Sequence, residues 1–397
     1  MGEISSGTLG DYVVLQRGTT YQSRLLGLPG PVLLGLSSIA RNGGFRSDSL
    51  RMYGGESPNK LLLEVGDLFV SLKDVTQTGD LLGSVARVPS SVPLGRLTQD
   101  TVKLNLVKDI PAEYLYWILR TEKYRAYCRA HAIGTTNLSL SREDFLNFPI
   151  PSPTAERLAL VRLLDTLDDK IAVNERIALR CHEIAELHYA VATERARREP
   201  LTSLVKPILG ATPDRKTGGY WGDGYPWASA KDVVTSKFGL LTATEKSITT
   251  AAVEKTRSKP VPKGSVILTA RGTVGVVARI GQPMSFNQSC YAFTPDLLPA
   301  SVLYFTVLRG SRQMQSMAHG TVFSTVNMRT LDHIEVPSLP PEGAASLDEI
   351  LLPLMDTIEV RMRENQALAQ LRDTLLPKLM SGELRVREAE EIVGGAL

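Results

Sequence analysis

Four stretches of this 397-residue chain bring together residue types that could do chemistry. His182-Glu183 followed by His188 approaches the helix of a zinc peptidase. That chemistry needs histidines at i and i+4, and Glu186 stands at that position, so a solvated helix face is the simpler account. Gly210 to Lys216 begins like a phosphate-cradling loop, but no Gly precedes the Lys and the anion-binding turn is missing. Asn147-Phe148-Pro149 holds the residue types of an amino-methyltransferase's amine-binding turn in the wrong order. Pro213-Asp214 opens like a nuclease motif, with no carboxylate-x-Lys at a convincing distance. No glycine-rich loop after a strand supports a methyl-donor or dinucleotide site. Cys128, Cys181 and Cys290 lie 53 and 109 residues apart, which supports neither a zinc site nor a disulfide framework. Catalysis by this chain alone is not expected.

The elements that carry these residues are those of a globular protein. The apolar fraction is 43% and the charged fraction 22%, enough apolar material for at least two cores. No run approaches 18 apolar residues, which excludes a spanning helix of that kind. The first residues are polar and acidic, so secretion is not expected and a reducing cytoplasm suits the thiols. The net charge of +3 is distributed unevenly. Residues 1–152 carry +2, 153–198 carry 0, 199–337 carry +6 and 338–397 carry −5. Two segments therefore favour a polyanion, and the two that follow them do not.

Those segments are repeats. Val65-Gly66-Asp67-Leu68-Phe69-Val70-Ser71 parallels Lys263-Gly264-Ser265-Val266-Ile267-Leu268-Thr269 at an offset of 198. Val85-Ala86-Arg87-Val88 parallels Val277-Ala278-Arg279-Ile280 at 192, so the first half has six extra residues in the intervening loop. Thr98-Gln99-Asp100 faces Asn287-Gln288-Ser289. Leu115-Tyr116-Trp117 matches Leu303-Tyr304-Phe305, Gly134-Thr135 matches Gly320-Thr321, and strands close at Ile150-Pro151 and Val336-Pro337. Six matches in one order indicate duplication.

After each closing proline the periodicity changes from 2 to 3.6. Residues 156–198 lack Gly and Pro, with a stripe at Leu160, Leu164, Leu167, Ile171, Asn174, Ala178 and Cys181. The second half answers with Leu347, Leu351, Leu354, Ile358, Asn365, Leu368, Leu371 and Leu375. Helices of about 43 and 33 residues would be roughly 64 and 50 Å long. Each needs a partner along its apolar face, most simply the other, with Asn174 and Asn365 helping to fix register; the alternative is that each packs on its own globule. Pro353 is expected near the first turn of the second helix, and Pro377 to kink or end it. The fold class is α+β: two mixed α/β globules separated by two long helices forming an antiparallel coiled coil, with a pseudo-two-fold internal repeat. The divisions fall at 1–152, 153–198, 199–337, 338–384 and an acidic tail at 385–397.

The residues resemble the DNA specificity subunit of type I restriction–modification enzymes. Leu371-Arg372-Asp373-Thr374-Leu375-Leu376-Pro377-Lys378-Leu379-Met380-Ser381-Gly382-Glu383-Leu384 is similar to that family's terminal signature. Leu167-Asp168-Asp169-Lys170-Ile171-Ala172-Val173-Asn174, the stretch from Val65 to Thr76, Ala270-Arg271-Gly272-Thr273-Val274-Gly275 and Phe286-Asn287-Gln288-Ser289 also fit its pattern. Met355-Asp356-Thr357-Ile358 departs from the expected Asp-Lys-Ile, and Thr98-Gln99-Asp100 departs from Asn287-Gln288-Ser289.

The resemblance implies a non-catalytic subunit with two target-recognition domains, each reading one half of a split, asymmetric site in double-stranded DNA. It implies docking of two methyltransferase subunits on the helices and addition of restriction (motor–nuclease) subunits. S-adenosylmethionine, ATP and Mg²⁺ would belong to those partners. Helices of these lengths would separate two short motifs by an unread gap of about one half to one helical turn. The recurrent loops nominate Lys73, Thr76, Arg271 and Thr273, with Gln99, Asn287 and Gln288 at strand starts and Asn137 and Phe323 after the Gly-Thr turns. Arg17, Arg215, Trp227 and Lys231 complete the candidates for DNA contact. Apolar width beyond one helical seam nominates Ile177, Ile184, Leu187, Met355, Met362 and Leu379 for subunit docking. The competing expectations are a self-contained DNA methyltransferase or endonuclease with divergent motifs, and a coiled-coil scaffold that does not read DNA.

Overall fold

The computed structural model describes residues 5–75, 78–135, 137–318 and 325–381. It divides into two compact units: Met1–Asp169 with Ala367–Leu397, and Lys170–Gln366. Each unit takes one globule and a share of both long helices.

The first unit contains β1 (Ser5–Thr8), β2 (Val13–Arg17), β3 (Val32–Leu34), β4 (Leu62–Leu63), β5 (Leu68–Ser71), β6 (Lys73–Asp74), β7 (Val85–Arg87), β8 (Gly95–Leu97) and β9 (Thr101–Leu106). Then come α1 (Ala112–Ile118), α2 (Glu122–Ala130), β10 (Leu138–Ser139), α3 (Arg142–Leu146), β11 (Pro149–Pro151) and α4 (Ala155–Ala192). An antiparallel sheet of order β2-β9-β5-β7 forms its centre, beside a smaller sheet of order β3-β8-β4. All four residues of β5 are buried, so this strand reads as a continuous apolar run rather than an alternation. Phe69 joins Leu34, Leu63, Ala86 and Leu97 in the core. Five consecutive residues of α1, Tyr114 to Ile118, are buried as well.

The second unit contains β12 (Arg197–Pro200), α5 (Leu201–Leu204), β13 (Ile208–Leu209), β14 (Trp221–Ala228), α6 (Ala230–Val234), β15 (Leu240–Leu241), β16 (Lys246–Ile248) and α7 (Thr250–Lys255). It continues through β17 (Val266–Thr269), β18 (Val277–Ile280), β19 (Ser285–Phe286), β20 (Cys290–Phe293), α8 (Ala300–Ala318), α9 (Met328–Asp332), β21 (Glu335–Ser338) and α10 (Pro341–Ser381). Its main sheet has the order β13-β20-β17-β18-β15. The first four strands repeat β2-β9-β5-β7. The parallel pair β14–β19 repeats β3–β8, and the antiparallel pair β12–β21 repeats β1–β11. The duplication is therefore one of topology and pairing as well as of residues.

Both long helices form, with different ends from those expected. α4 stops at Ala192, six residues short of 198, because Arg197–Pro200 is drawn into pairing with Glu335–Ser338. α10 runs through both prolines. Pro353 is its thirteenth residue, well past the first turn. An interior proline removes one helical hydrogen bond, at a cost of about 3 kcal/mol. Burial of Leu351 and Met355 on either side, both fully enclosed, offsets that loss.

The helices repeat in a register that apolar spacing alone does not give. The buried series Leu160, Leu164, Leu167, Asn174 has the same 4-3-7 steps as Leu351, Met355, Ile358, Asn365. Matching Leu160 to Leu347 is one helical turn off, because leucines recur at every turn while the asparagines occur once. Within the second unit the Asn174 side-chain amide donates to Asn365 Oδ1 at 2.8 Å and to Glu364 Oε2 at 3.0 Å. Asn365 donates to the Ile171 carbonyl at 3.2 Å. Asn174→Ala should therefore cost about 1–3 kcal/mol, since it strands a buried carboxamide. Replacing both asparagines by leucine should raise the unfolding midpoint while loosening the choice of register. Thermal unfolding of the two variants measures both; an unchanged midpoint for Asn174→Ala would remove the polar clasp.

Candidate nucleic-acid interface

The loops that carry the candidate DNA contacts are brought together by pairing that is the same in both units. In the first, β6 and β10 place Lys73 opposite Ser139 and Asp74 opposite Leu138. This joins the loop after β5 to the turn that ends at the exposed Asn137. Gly134 in that turn has φ +110°, and a Cβ there would lie 2.3 Å from the Asn137 carbonyl oxygen, so only glycine fits. In the second unit Arg271 bridges Thr325. Arg271 is the repeat counterpart of Lys73, and Thr325 that of Ser139.

A second loop adjoins the first. The turn from Thr98 to Thr101 is locked: Thr101 Oγ1 donates to the Leu34 carbonyl at 2.7 Å, and Thr101 N to the Thr98 carbonyl at 3.2 Å. Gln99 is exposed on this turn, and its carbonyl accepts from Arg17 Nε at 3.5 Å. Asp100 meets Lys73, Oδ1 to Nζ, at 3.4 Å. Lys73, Arg17, Gln99 and Asp100 thus form one cluster. The chain passes so close that a Cβ on Gly18 would fall 1.9 Å from the Thr98 carbonyl oxygen. Gly210 repeats this approach against Asn287, at 2.1 Å.

Around Arg271 the counterparts differ. Asn287 is half-buried, and its side-chain oxygen accepts from Ser289 N at 3.1 Å. That oxygen is thereby engaged in shaping its own turn. Gln288 is exposed and accepts from Thr212 Oγ1. Thr273 is exposed, and its carbonyl takes the Thr269 hydroxyl at 2.6 Å. Arg271 itself is exposed and, among the described residues, has no ion-pair partner. Arg215 lines a groove with Trp221, Asp223, Glu245 and Lys246. Lys231 is tied to Glu245 at 2.8 Å.

Trp227 is corrected from a contact residue to a core residue. It is 3% exposed, gives its indole N–H to the Ala211 carbonyl at 3.0 Å, and stacks edge-on against Trp221. An aromatic of this size at a strand end buries more apolar surface inward than it could offer to a base. Thr76 and Phe323 lie outside the described residues.

Two of the docking candidates are also corrected. Met355 is fully buried and Met362 is 8% exposed, both within the core of the second unit. The register shift of one turn places them on the inward stripe. Ile177 is half-buried, and Ile184 and Leu187 are 46% and 64% exposed. With Val173 and Val191 they form one apolar face of α4. Leu379 lies in α10.

Residues that were not among the site candidates hold each globule to its helices. In the first unit Arg87 pairs with Asp165 at 2.9 Å, Trp117 donates to Asp165, and Asp168 takes both Arg120 and Arg372. In the second unit Glu359 takes Lys263 at 2.7 Å, Arg363 at 3.1 Å and Arg279 at 3.7 Å. Arg87 and Arg279 occupy equivalent repeat positions, the one signal that could have found them. Burial pushes the Glu359 carboxyl up, but the hydrogen bonds from Lys263 and Arg363 and the charge of Arg279 outweigh it, so Glu359 ionises below the usual carboxylate range. Burial holds Arg279 below the usual arginine range. Arg125, 1% exposed, donates to the carbonyls of Leu82, Gly79 and Asp80 and so shapes the loop after β6.

Among the described residues, no group of His, Cys, Asp and Glu is placed to hold a metal. His182 Nε2 faces the Tyr304 hydroxyl at 2.9 Å, and burial keeps its imidazole below the ordinary value. Burial also raises all three thiols, Cys290 to about 12. No described helix is long and apolar enough to cross a membrane.

Known proteins place this architecture. Residues 201–369 match the type I restriction modification DNA specificity domain. A stretch of 145 residues is 30% identical to the type I restriction enzyme MjaIX specificity subunit of Methanocaldococcus jannaschii, covering 36% of this chain and 34% of that one. A stretch of 140 residues is 25% identical to the type I restriction enzyme HindI specificity subunit of Haemophilus influenzae, covering 34% and 30%. The matched stretches thus span about a third of each relative's length. The crystal structure of the type I restriction–modification system S subunit from M. genitalium superposes over 94% of both chains with a TM-score of 0.58, at 13% identity. Residues 201–369 are therefore similar to a type I restriction modification DNA specificity domain, and the chain shares the fold of the M. genitalium S subunit.

Proposed function

We propose that this chain is the non-catalytic, sequence-specific DNA-binding subunit of a type I restriction–modification complex, acting in the cytoplasm. The observation that carries the proposal is the repeated reading edge. The residues placed opposite each other at Lys73–Ser139 recur at Arg271–Thr325, on the domain that matches the DNA specificity family. Each globule would read one half of a bipartite, asymmetric site through loop side chains in the major groove, with other basic residues on phosphates. The basic balance of residues 199–337 supports this. Competition binding of the full chain tests it. A target duplex should resist displacement by unrelated duplexes, while affinity for all of them falls steeply with salt. Equal displacement by every duplex would reject sequence-specific reading.

Two methyltransferase subunits would dock on the long helices and restriction subunits would join them, bringing S-adenosylmethionine, ATP and Mg²⁺. The exposed apolar face of α4 supports this docking, since a row of Val173, Ile184, Leu187 and Val191 facing water is costly without a cover. Ile184→Glu and Leu187→Glu should abolish co-purification with the methyltransferase subunits and leave the unfolding midpoint nearly unchanged. Assembly that survives both changes would move the docking site elsewhere.

A further inference from the structure

We propose that Asp100 is a specificity-determining residue of the first unit, accepting a hydrogen bond from the exocyclic amino group of a base while Lys73 donates to the carbonyl acceptor beside it. The inference rests on the DNA reading proposed above and names the chemistry of one of its contacts. Asp100 stands where the second unit has Ser289, so only the first reading edge carries a carboxylate at this position. Its partner Lys73 stands where the second unit has Arg271. The Lys73 and Asp100 side chains are 53% and 31% exposed, so both remain open to a ligand. The turn that holds Asp100 is fixed by Thr98 and Thr101, with Thr98 N donating to Thr101 Oγ1 at 3.2 Å. The neighbouring carboxylate, Asp74, is fully buried and accepts from Leu81 N, so it is committed to the loop and does not face outward.

Charge decides what Asp100 can meet. A carboxylate against DNA phosphates is repelled, and a serine, the residue the second unit has there, would serve that position better. The carboxylate is favourable only where a donor replaces its water, and the major groove offers two such donors, cytosine N4 and adenine N6. Each lies beside a carbonyl acceptor of its partner base, guanine O6 or thymine O4. A lysine and an aspartate 3.4 Å apart present a matching donor and acceptor. The same carboxylate penalises a site that presents an acceptor in its place.

The test is selection of the full chain on a library of random-sequence duplexes, with sequencing of the bound fraction. The variants are Asp100→Ser, Asp100→Asn and Arg271→Ala. Asp100→Ser should lower the enrichment of one base at one position by about tenfold or more, within one half of the motif. The other half, altered only by Arg271→Ala, should be unchanged. The base lost identifies the donor as cytosine or adenine. Asp100→Asn, which keeps the shape, should move that position towards adenine, the base a carboxamide pairs with in two hydrogen bonds. If Asp100→Ser retains the whole motif and binds every duplex more tightly, the pair only screens charge and the proposal falls. If the natural chain enriches no motif, the DNA reading itself fails and takes the Asp100 contact with it.

Discussion

Glu359→Gln should destabilise the second unit by about 3–5 kcal/mol, the cost of breaking a buried ion pair by removing one partner. Arg279 is only 3% exposed and would keep its charge without the carboxylate that faces it. Lys263 and Arg363 can turn to water, being about half exposed; Arg279 cannot. The loss should be confined to one transition in chemical denaturation if the two units unfold separately. The pH dependence follows from the lowered ionisation of Glu359. Its contribution is present above the ordinary carboxylate pKa and is lost as pH falls through the lower, folded value. Acid should therefore destabilise the natural chain more steeply than the glutamine variant. Parallel pH profiles of the two proteins would show that the carboxylate is not the anchor.

Arg271→Ala should reduce discrimination by about 1–3 kcal/mol in one half-site alone, provided the guanidinium spans guanine O6 and N7. Because Arg271 is exposed and unpaired among the described residues, its removal leaves no buried group stranded. The unfolding midpoint should therefore hold. Binding measured against duplexes substituted base by base would locate the loss. A uniform loss over all sequences, with a shallower salt dependence, would make Arg271 a phosphate contact instead. Exchange of residues 1–151 for a related globule should change the other half-site and leave this one untouched.

Much of the first candidate edge is legible in the residues alone. The Gly-Asp strand, the Gly-Thr turn and their order in both halves are local patterns, and local patterns survive in sequence. What they do not give is partnership across distance. Lys73 and Asp100 lie 27 residues apart, and nothing in either neighbourhood says that they meet. Asn287 looks like a free side chain in sequence, yet its side-chain oxygen accepts from the backbone two residues on. Trp227 could face either way on a strand, and the packing around β14 turns it inward.

The long helices divide along the same line. Their existence follows from periodicity and the absence of Gly and Pro in residues 156–198, because helix formation is governed by neighbours three and four apart. The need for a polar clasp follows from two asparagines on apolar stripes. Register, by contrast, is set by contacts across the fold. A leucine at each turn packs nearly as well one turn along, whereas the buried Asn174 and Asn365 amide N–H groups find their acceptors in a single alignment. That alignment turns Met355 and Met362 inward and leaves Ile184 and Leu187 facing outward. Local pattern is enough to show that the chain is duplicated and helical between its globules. Which apolar residues are exposed and which charges are paired depends on contacts between segments far apart in the chain, whose energies no local pattern records.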